Sequence, residues 1–412
     1  MQPIKPLSIF QGYGIELEYM IVDRETLSVA PLTDRVLKEI AGVYLNEVEV
    51  GELRWSNELV LHVIELKTNG AAKNLARLPG LFHDHIKRIN TILQPLNAKL
   101  MPTSMHPWMH PDRETKLWPH ENNEIYDQYN RIFDCRGHGW ANLQSMHINL
   151  PFNGAEEFGR LHAAVRLVLP ILPALAASSP VYEDKPGPFL DNRLNFYMNN
   201  QRKIPELTGK VIPEPVFTPQ EYQDHLLQTL YNAIAPYDPE GILQEEWLNS
   251  RGAIARFERN TIEIRILDIQ ESPQMDIAIA SLIIALLKAL TAEYWSSLKS
   301  QKQMGTEPLY GIFLETVKDG DRAIISDARF LKLFNFPEKG AVRTSDLWQY
   351  LLESLEKYDS SLSVFGPALK TLLSRGCLSR RILKALNGDF SRNNLMKTYR
   401  RLTETLEENT MF

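Results

Sequence analysis

Two cysteines, Cys135 and Cys377, are too few in 412 residues for a disulfide framework, and no Cys-x-x-Cys pair is present to hold zinc. That scarcity fits a reducing compartment, so a cytoplasmic location is expected. Basic charge is not in excess either. The 45 Lys and Arg stand against 51 Asp and Glu, a net of −6, which argues against nucleic acid as the main partner. Long hydrophobic runs are missing as well. The longest uncharged apolar run, Ile277–Leu287, lies between Asp276 and Lys288. It falls well short of the roughly 20 residues that span a bilayer, so it reads as a buried helix and no membrane partner is expected. The opening stretch MQPIKPLSIFQGYG has no apolar core of signal-peptide length. Walker A and GxGxxG phosphate cradles are absent, as is a GxSxG nucleophile turn. No covalent nucleophile is therefore expected, whereas phosphates remain bindable by carboxylate-held Mg²⁺ and arginines.

What is present is 44% hydrophobic and 23% charged residues, a globular composition on a chain long enough for a sizeable core. The most informative stretch is Gly14–Val22, GIELEYMIV. Ile15, Leu17 and Tyr19 alternate with Glu16, Glu18 and Met20. A strand's period of two puts Glu16 and Glu18 on one face, roughly 6–7 Å apart. Two carboxylates so placed repel, and burying them is costly unless cations neutralise them. Alone, the stretch also fits an amphipathic edge strand with a solvated acidic face.

The pattern recurs. TIEIRILD sets Ile262, Ile264 and Ile266 against Glu263 and Arg265; MHINL sets Met146, Ile148 and Leu150 against His147 and Asn149. Glu58–Thr68, ELVLHVIELKT, is a β-rich run carrying Glu65 and Lys67 near its end. Four such segments in one sheet give a core side and a side suited to metal and polyanion chemistry. Clustered glutamates with one histidine suit Mg²⁺ or Mn²⁺ better than zinc.

Between these strands the apolar spacing predicts helices over 31–41, over 72–99 with an interruption at Pro79-Gly80 and an end before Pro95, and over 155–178 with kinks at Pro170 and Pro173. Further helices are predicted over 219–234 and from Ser272-Pro273 to about Leu298, with Ser272 as N-cap. Gly51 marks a hairpin turn among Glu47, Glu49 and Glu52, and the segment 101–131, rich in proline and aromatics, reads as a functional loop. His106 and His110 lie in it at i,i+4 spacing, but the adjacent prolines speak against a helical metal pair. The predicted fold is α+β, an antiparallel sheet with helices on its apolar face. Residues 1–300 form a catalytic part and 301–412 a helical C-terminal region packed on the same domain.

GIELEY, NELVLHVIELKT, MHINL, ALAASSPVYEDKPGPFLDNR and TIEIRILD occur here in the order seen in glutamate–cysteine ligase family 2, which the chain resembles over most of its length. The resemblance implies a glutamine synthetase-like fold, a curved antiparallel sheet forming a funnel. It implies Glu16, Glu18, Glu65, His147 and Glu263 as metal ligands. Arg265 would stabilise charge on a transferred phosphoryl group, and Arg193 would bind a substrate carboxylate or phosphate. Asn149, Arg256 and Glu58 are implied as substrate-binding. Glu58 and Glu65, seven residues apart, fall on opposite faces of a regular strand, so either a bulge intervenes or Glu58 sits in the preceding turn. Each of these residues also has a structural reading: an Arg265–Glu263 ion pair, a solvated Arg193, a core His147. One departure from the family pattern is plain: a single histidine, with Asn149 where a second usually stands.

The function so implied is an ATP- and Mg²⁺- (or Mn²⁺-) dependent carboxylate–amine ligase of the glutamate–cysteine type, acting through an acyl phosphate. Its partners would be small molecules, an amino-acid carboxylate and an amine. The alternatives are the same chemistry on another acid or amine, or a non-catalytic relative that binds nucleotide or amino acid. The apolar helices allow a homodimer.

Overall fold

β1, Gly14–Asp23, is hydrogen-bonded along both edges and anchors the sheet. The computed structural model describes residues 6–337 and 340–412, so the first five residues of the opening stretch lie outside the described residues. One edge of β1 takes β4, Val63–Thr68. The other is shared: β5, Ala98–Met101, pairs with Met20–Asp23, and β6, Ser145–Pro151, pairs with Gly14–Leu17. β2 (Glu47–Val50) and β3 (Leu53–Asn57) form a hairpin through Gly51, whose positive φ of 63° suits a residue without Cβ. Short ribbon strands β7 (Val181–Tyr182) and β8 (Lys185–Pro186) stand apart from the sheet. β9 (Ala253–Arg256) and β10 (Thr261–Asp268) complete it, and β11 (Ile324–Ile325) pairs with β12 (Val342–Arg343) in a second small ribbon. The order is β2-β3-β4-β1-β6-β10-β9 with β5 also on β1, and every pairing is antiparallel. This is the α+β class expected from the sequence.

Alternation sorts the two faces. Ile15, Leu17, Tyr19, Ile64, Leu66, Ile148, Ile262 and Ile264 are fully buried on the helix side. Each such aliphatic or aromatic side chain contributes about 1.5–3 kcal/mol on burial. The helix Pro273–Thr291 runs through this side, packing on helices Leu78–Leu93, Gly154–Val168, Thr344–Tyr358 and Gly366–Arg375. It is long and apolar enough to cross a membrane by length and composition, yet 89% of its most apolar window is buried inside the fold. A helix apolar on all sides in such a setting is a core helix. The same hydrophobic cluster continues through Leu309, Phe330, Leu347 and Leu369 to Leu406.

Several expectations need correction. Glu58–His62 is not strand; it is the connection between β3 and β4, because Asn57 turns its side chain onto the Glu58 carbonyl and Tyr126 rather than continuing the ladder. Pro79-Gly80 does not interrupt a helix but sits in its first turn, where a missing N–H costs nothing. The helical pattern ends before Pro95 as expected, but residues 98–101, for which no strand was expected, form β5 after Asn97 adopts φ 52°. The helix expected from Ser272-Pro273 to about Leu298 stops at Thr291, and Ser272 makes no side-chain capping bond. Arg193 lies not in an open turn but in a short helix, Asn192–Tyr197, capped by Asp191. The kinks at Pro170 and Pro173 are present, as a 3-10 turn Leu169–Ile171 and a further turn Pro173–Ala176.

Candidate active site

Strand register alone assembles the polar face. Glu16 lies opposite Lys67 on β4 and His147 on β6, while Glu18 lies opposite Glu65, which faces Ser56 on β3. One step along, Asn149 pairs with Glu263 on β10. Because all neighbours in a row share one face, five strands deliver polar or charged residues to one floor. Gly14 faces Asn149 so closely that a Cβ there would stand 2.8 Å from the Asn149 Cβ, so the glycine makes room for this side chain. Between Ile264 and Leu267 the β10–β6 register shifts by one residue, bending the strand beside Arg265.

His147 is the hub. Its Nδ1 lies 2.9 Å from Glu16 Oε2 and 3.9 Å from Glu263 Oε1; its Nε2 lies 2.8 Å from Ser145 Oγ and 3.6 Å from Glu18 Oε1. Burial alone would lower His147, but the bond to Glu16 and the charges of Glu18, Glu16 and Glu263 raise it to about 9. Glu16 also accepts from Asn149 Nδ2 at 2.9 Å, and Glu18 accepts from the Ser145 N–H at 2.7 Å. Glu65 accepts from Ser56 Oγ at 2.7 Å and pairs with Lys67 Nζ at 3.2 Å; Lys67 is also held by Glu47 at 2.8 Å. Burial and the charge of Glu65 push Glu16 up to about 7, and burial raises Glu18 as well. Glu65 and Glu263 are opposed by burial but held at about 2, by Lys67 and His147 for the first and by Arg265, His147 and Arg256 for the second.

The residues assigned from sequence therefore come together. Glu16, Glu65 and His147 offer donor atoms all within 4.8 Å of one another, and so do Glu18, Glu58 and Glu65. Glu65 belongs to both groups. Glu58 reaches the floor from the β3–β4 connection, which resolves its awkward spacing. Burial and the charges of Glu18 and Glu65 hold its carboxyl well above the usual range. Arg265 converges on Glu263 through Nε (3.0 Å) and Nη2 (2.6 Å), and Arg256 lies 3.6 Å from the same carboxylate while pairing with Glu258 at 2.5 Å. Arg193 is buried and ion-paired through Nε to the fully buried Asp268, yet still lines the cleft. Asn149, expected to meet substrate, instead bonds Glu16 and lines a neighbouring cavity.

The cleft over the floor has a volume of 390 Å³; its wall includes Tyr126, Tyr129, Trp140, Tyr197 and Trp247. A second cavity of 630 Å³, lined by Arg54, Lys67, Asn149 and Arg259 among others, meets it at Glu16, Lys67 and Arg259. Sequence reasoning noted Lys67 without giving it a role and passed over Ser145, Tyr197 and most of the aromatic wall. Lys67 and Ser145 had a signal, since each is two residues from a ligand candidate on the same strand face. Of the aromatics, Tyr126 and Tyr129 lie in the aromatic-rich segment 101–131 that was read as a functional loop, whereas Trp140, Tyr197 and Trp247 arrive from separate loops and short helices with no signal.

The donor set fits a hard divalent ion. Carboxylate oxygens dominate and a single imidazole joins them, a combination suited to Mg²⁺ or Mn²⁺. An antiparallel sheet with this acidic, arginine-rimmed floor fits the carboxylate–amine ligase class. Within it, the chain belongs to Glutamate-cysteine ligase family 2, whose sequence profile matches residues 13–311. An uncharacterized protein of Archaeoglobus fulgidus is 33% identical over 326 residues, covering 78% of this chain and 87% of its own. A Bradyrhizobium sp. (strain ORS 278) protein with the provisional name glutamate–cysteine ligase 2 is 25% identical over 289 residues, covering 68% of this chain and 62% of its own. Among solved structures, glutamate–cysteine ligase from Francisella tularensis in complex with AMP superposes with a TM-score of 0.65 at 14% identity. That match covers 97% of this chain and 89% of that one. At that identity the likeness is one of fold.

Proposed function

We propose that the protein is an ATP-dependent carboxylate–amine ligase, joining a glutamate-type carboxylate to the amine of an amino acid. The observation that carries this reading is Glu65, shared between two three-residue donor groups beneath a cleft walled by Arg193, Arg256 and Arg265. A single structural ion needs no such sharing. Two adjacent groups suit a reaction that gathers several negative charges in one place.

Glu16, Glu65 and His147 would hold one Mg²⁺ or Mn²⁺ and Glu18, Glu58 and Glu65 a second. When bound, these ions neutralise phosphate charge and act as Lewis acids. The chain's own residues orient and balance charge. In the first step a carboxylate oxygen of the acid attacks the γ-phosphorus, and the bond to the ADP oxygen breaks to leave ADP and an acyl phosphate. Arg265, already turned by Glu263, faces the charge that accumulates there. In the second step the amine nitrogen attacks the carbonyl carbon, the C–O bond to phosphate breaks, and phosphate leaves with the electron pair. The amine enters as an ammonium and gives up two protons, one ending on the released phosphate and one in solvent, and the amide keeps one hydrogen on nitrogen. Positioning and electrostatics carry both steps, consistent with a cleft that needs no covalent nucleophile.

The test is ADP release by the purified chain with Mg²⁺-ATP, requiring both acid and amine, with a product mass of acid plus amine minus water. ADP release independent of any acid would sink the reading.

A further inference from the structure

The floor of the cleft is charged, but its wall is not. Tyr129 lies between Trp140 and Trp247, with ring centroids 5.3 and 6.0 Å apart, and both tryptophans are only half-buried while lining the cleft. Large rings left part-exposed in a cavity offer apolar area that the fold itself does not use. Beside this wall, the helix Asn192–Tyr197 presents Arg193 and Tyr197, four residues apart and so on one helical face. Arg193 is 2% exposed and spends Nε on Asp268, whose other oxygen accepts from the Ser178 N–H (2.7 Å) and Ser179 Oγ (2.9 Å). Its Nη2 is buried with no acceptor among the described residues, and the Tyr197 hydroxyl, which lies against the Arg265 guanidinium, likewise has no acceptor there for its own proton. Buried orphan donors are uncommon in folded proteins, and two at the wall of one cleft point to a bound acceptor group.

We propose that this subsite takes the amine partner, and that this partner is an α-amino acid with an aromatic or large apolar side chain. The side chain lies against Tyr129, Trp140 and Trp247, and the carboxylate accepts from Arg193 Nη2 and the Tyr197 hydroxyl. Asp268 is a positioning residue that aims the guanidinium. Adenine stacks on such a wall equally well, but the phosphates of its nucleotide belong over the carboxylate floor with the cations, whereas an amino acid supplies ring and carboxylate together at the wall. The inference rests on the ligase reading above and adds the acceptor class to it.

The experiment measures ADP release with Mg²⁺-ATP and glutamate against phenylalanine, leucine, cysteine, glycine and phenethylamine, which keeps the ring but lacks the carboxylate. Expected are a kcat/KM for phenylalanine roughly tenfold or more above glycine and cysteine, in keeping with pocket discrimination by apolar bulk. Phenethylamine should fall below phenylalanine by a similar factor. Trp140→Leu should erase the preference for phenylalanine over glycine, and Tyr197→Phe should raise KM for phenylalanine without changing KM for phenethylamine. Asp268→Asn should raise KM for phenylalanine more than it lowers kcat. A best rate with cysteine or glycine overturns the inference while leaving the ligase intact. A Trp140→Leu effect confined to KM for ATP assigns the wall to adenine and overturns it too. Direct binding, followed by tryptophan fluorescence, keeps the two readings separable. Saturable quenching by phenylalanine with no turnover for any pair sinks the ligase and retains the subsite, and quenching by glycine alone sinks the subsite.

Discussion

Glu18 on β1 and Glu65 on β4 are direct cross-strand partners, yet the fold drives their carboxyls in opposite directions. Burial and the charge of Glu65 raise Glu18, whereas Lys67 and His147 hold Glu65 at about 2 against the cost of its own burial. Glu65 is thus the fixed anion of the floor, and Glu18 takes its charge when a cation arrives. Metal binding should release protons as the raised carboxyls ionise.

Glu65→Gln is the sharpest test of the floor. Glutamine still accepts from Ser56, and Lys67 keeps Glu47, so the fold survives. Both donor groups lose their common member, so turnover should drop by about 100-fold or more. In the wild type, Mn²⁺ at 100 times its Kd should stabilise the fold by about 2.7 kcal/mol. Melting with and without Mn²⁺ should show that stabilisation vanish in the variant. A variant that keeps full activity and the same Mn²⁺ response would show that Glu65 is not a ligand.

Arg265→Lys separates a catalytic arginine from a structural one. Two N–H groups of Arg265 converge on Glu263 Oε1, and an ammonium cannot copy that planar geometry. Neutralisation of Glu263 persists with lysine, so the melting temperature should hold, while kcat should fall about tenfold or more, a barrier change of roughly 1.4 kcal/mol. An unchanged kcat would leave Arg265 as a structural ion pair.

How much of this was legible in the sequence follows from range. Alternation is local, so GIELEY, MHINL and TIEIRILD gave their strands and the faces of their side chains without any tertiary information. Register then carried Glu16 to His147 and Glu18 to Glu65, which brings the acidic residues side by side. Asp268 was invisible because it closes the apolar-looking end of TIEIRILD, and only folding brings it to Arg193, 75 residues away in the chain. Glu58–His62 was read into the strand because it is rich in β-formers, but it is held as a connection by the side chain of Asn57 and by the Leu61 N–H bond to the Lys116 carbonyl, so of the two places open to Glu58 the turn before the strand is the one observed. The aromatic wall depends on loops whose paths carry no periodic signal.

The C-terminal helices are tied to the sheet side by one buried ion pair. Arg381, on the helix Leu378–Leu386, meets the fully buried Glu271, which lies between β10 and the core helix. Glu271 also accepts from the Phe412 N–H at 3.3 Å. Removing one partner strands a charge, so Arg381→Met should cost about 3–5 kcal/mol. Replacing both, in Arg381→Met with Glu271→Leu, should recover much of that loss. Chemical denaturation of the single and double variants reads the difference; a double variant no better than the single would mean that packing, not charge, dominates there.

Acid stability turns on three histidines buried away from the candidate site. Burial lowers His62 from an ordinary 6.5 to about 4, and His106 and His162 to about 3. His106 is fixed as a neutral ring, donating from Nε2 to the Leu27 carbonyl at 2.7 Å and accepting the Trp108 N–H at Nδ1. His162 is buried beside the Val216 backbone and stacks on Phe158 with centroids 5.4 Å apart. Between the lowered folded value and 6.5 only the unfolded chain takes up the proton, so stability is whole above pH 6.5 and is lost as pH falls. At pH 5 each such histidine should cost about 2 kcal/mol relative to neutral pH. His162→Phe keeps the ring, removes the titration and suits an aromatic pocket. Its melting temperature should equal or exceed that of the wild type at pH 7.5 and exceed it by a widening margin down to pH 5. A margin that stays constant with pH would show that His162 is not buried as a neutral ring.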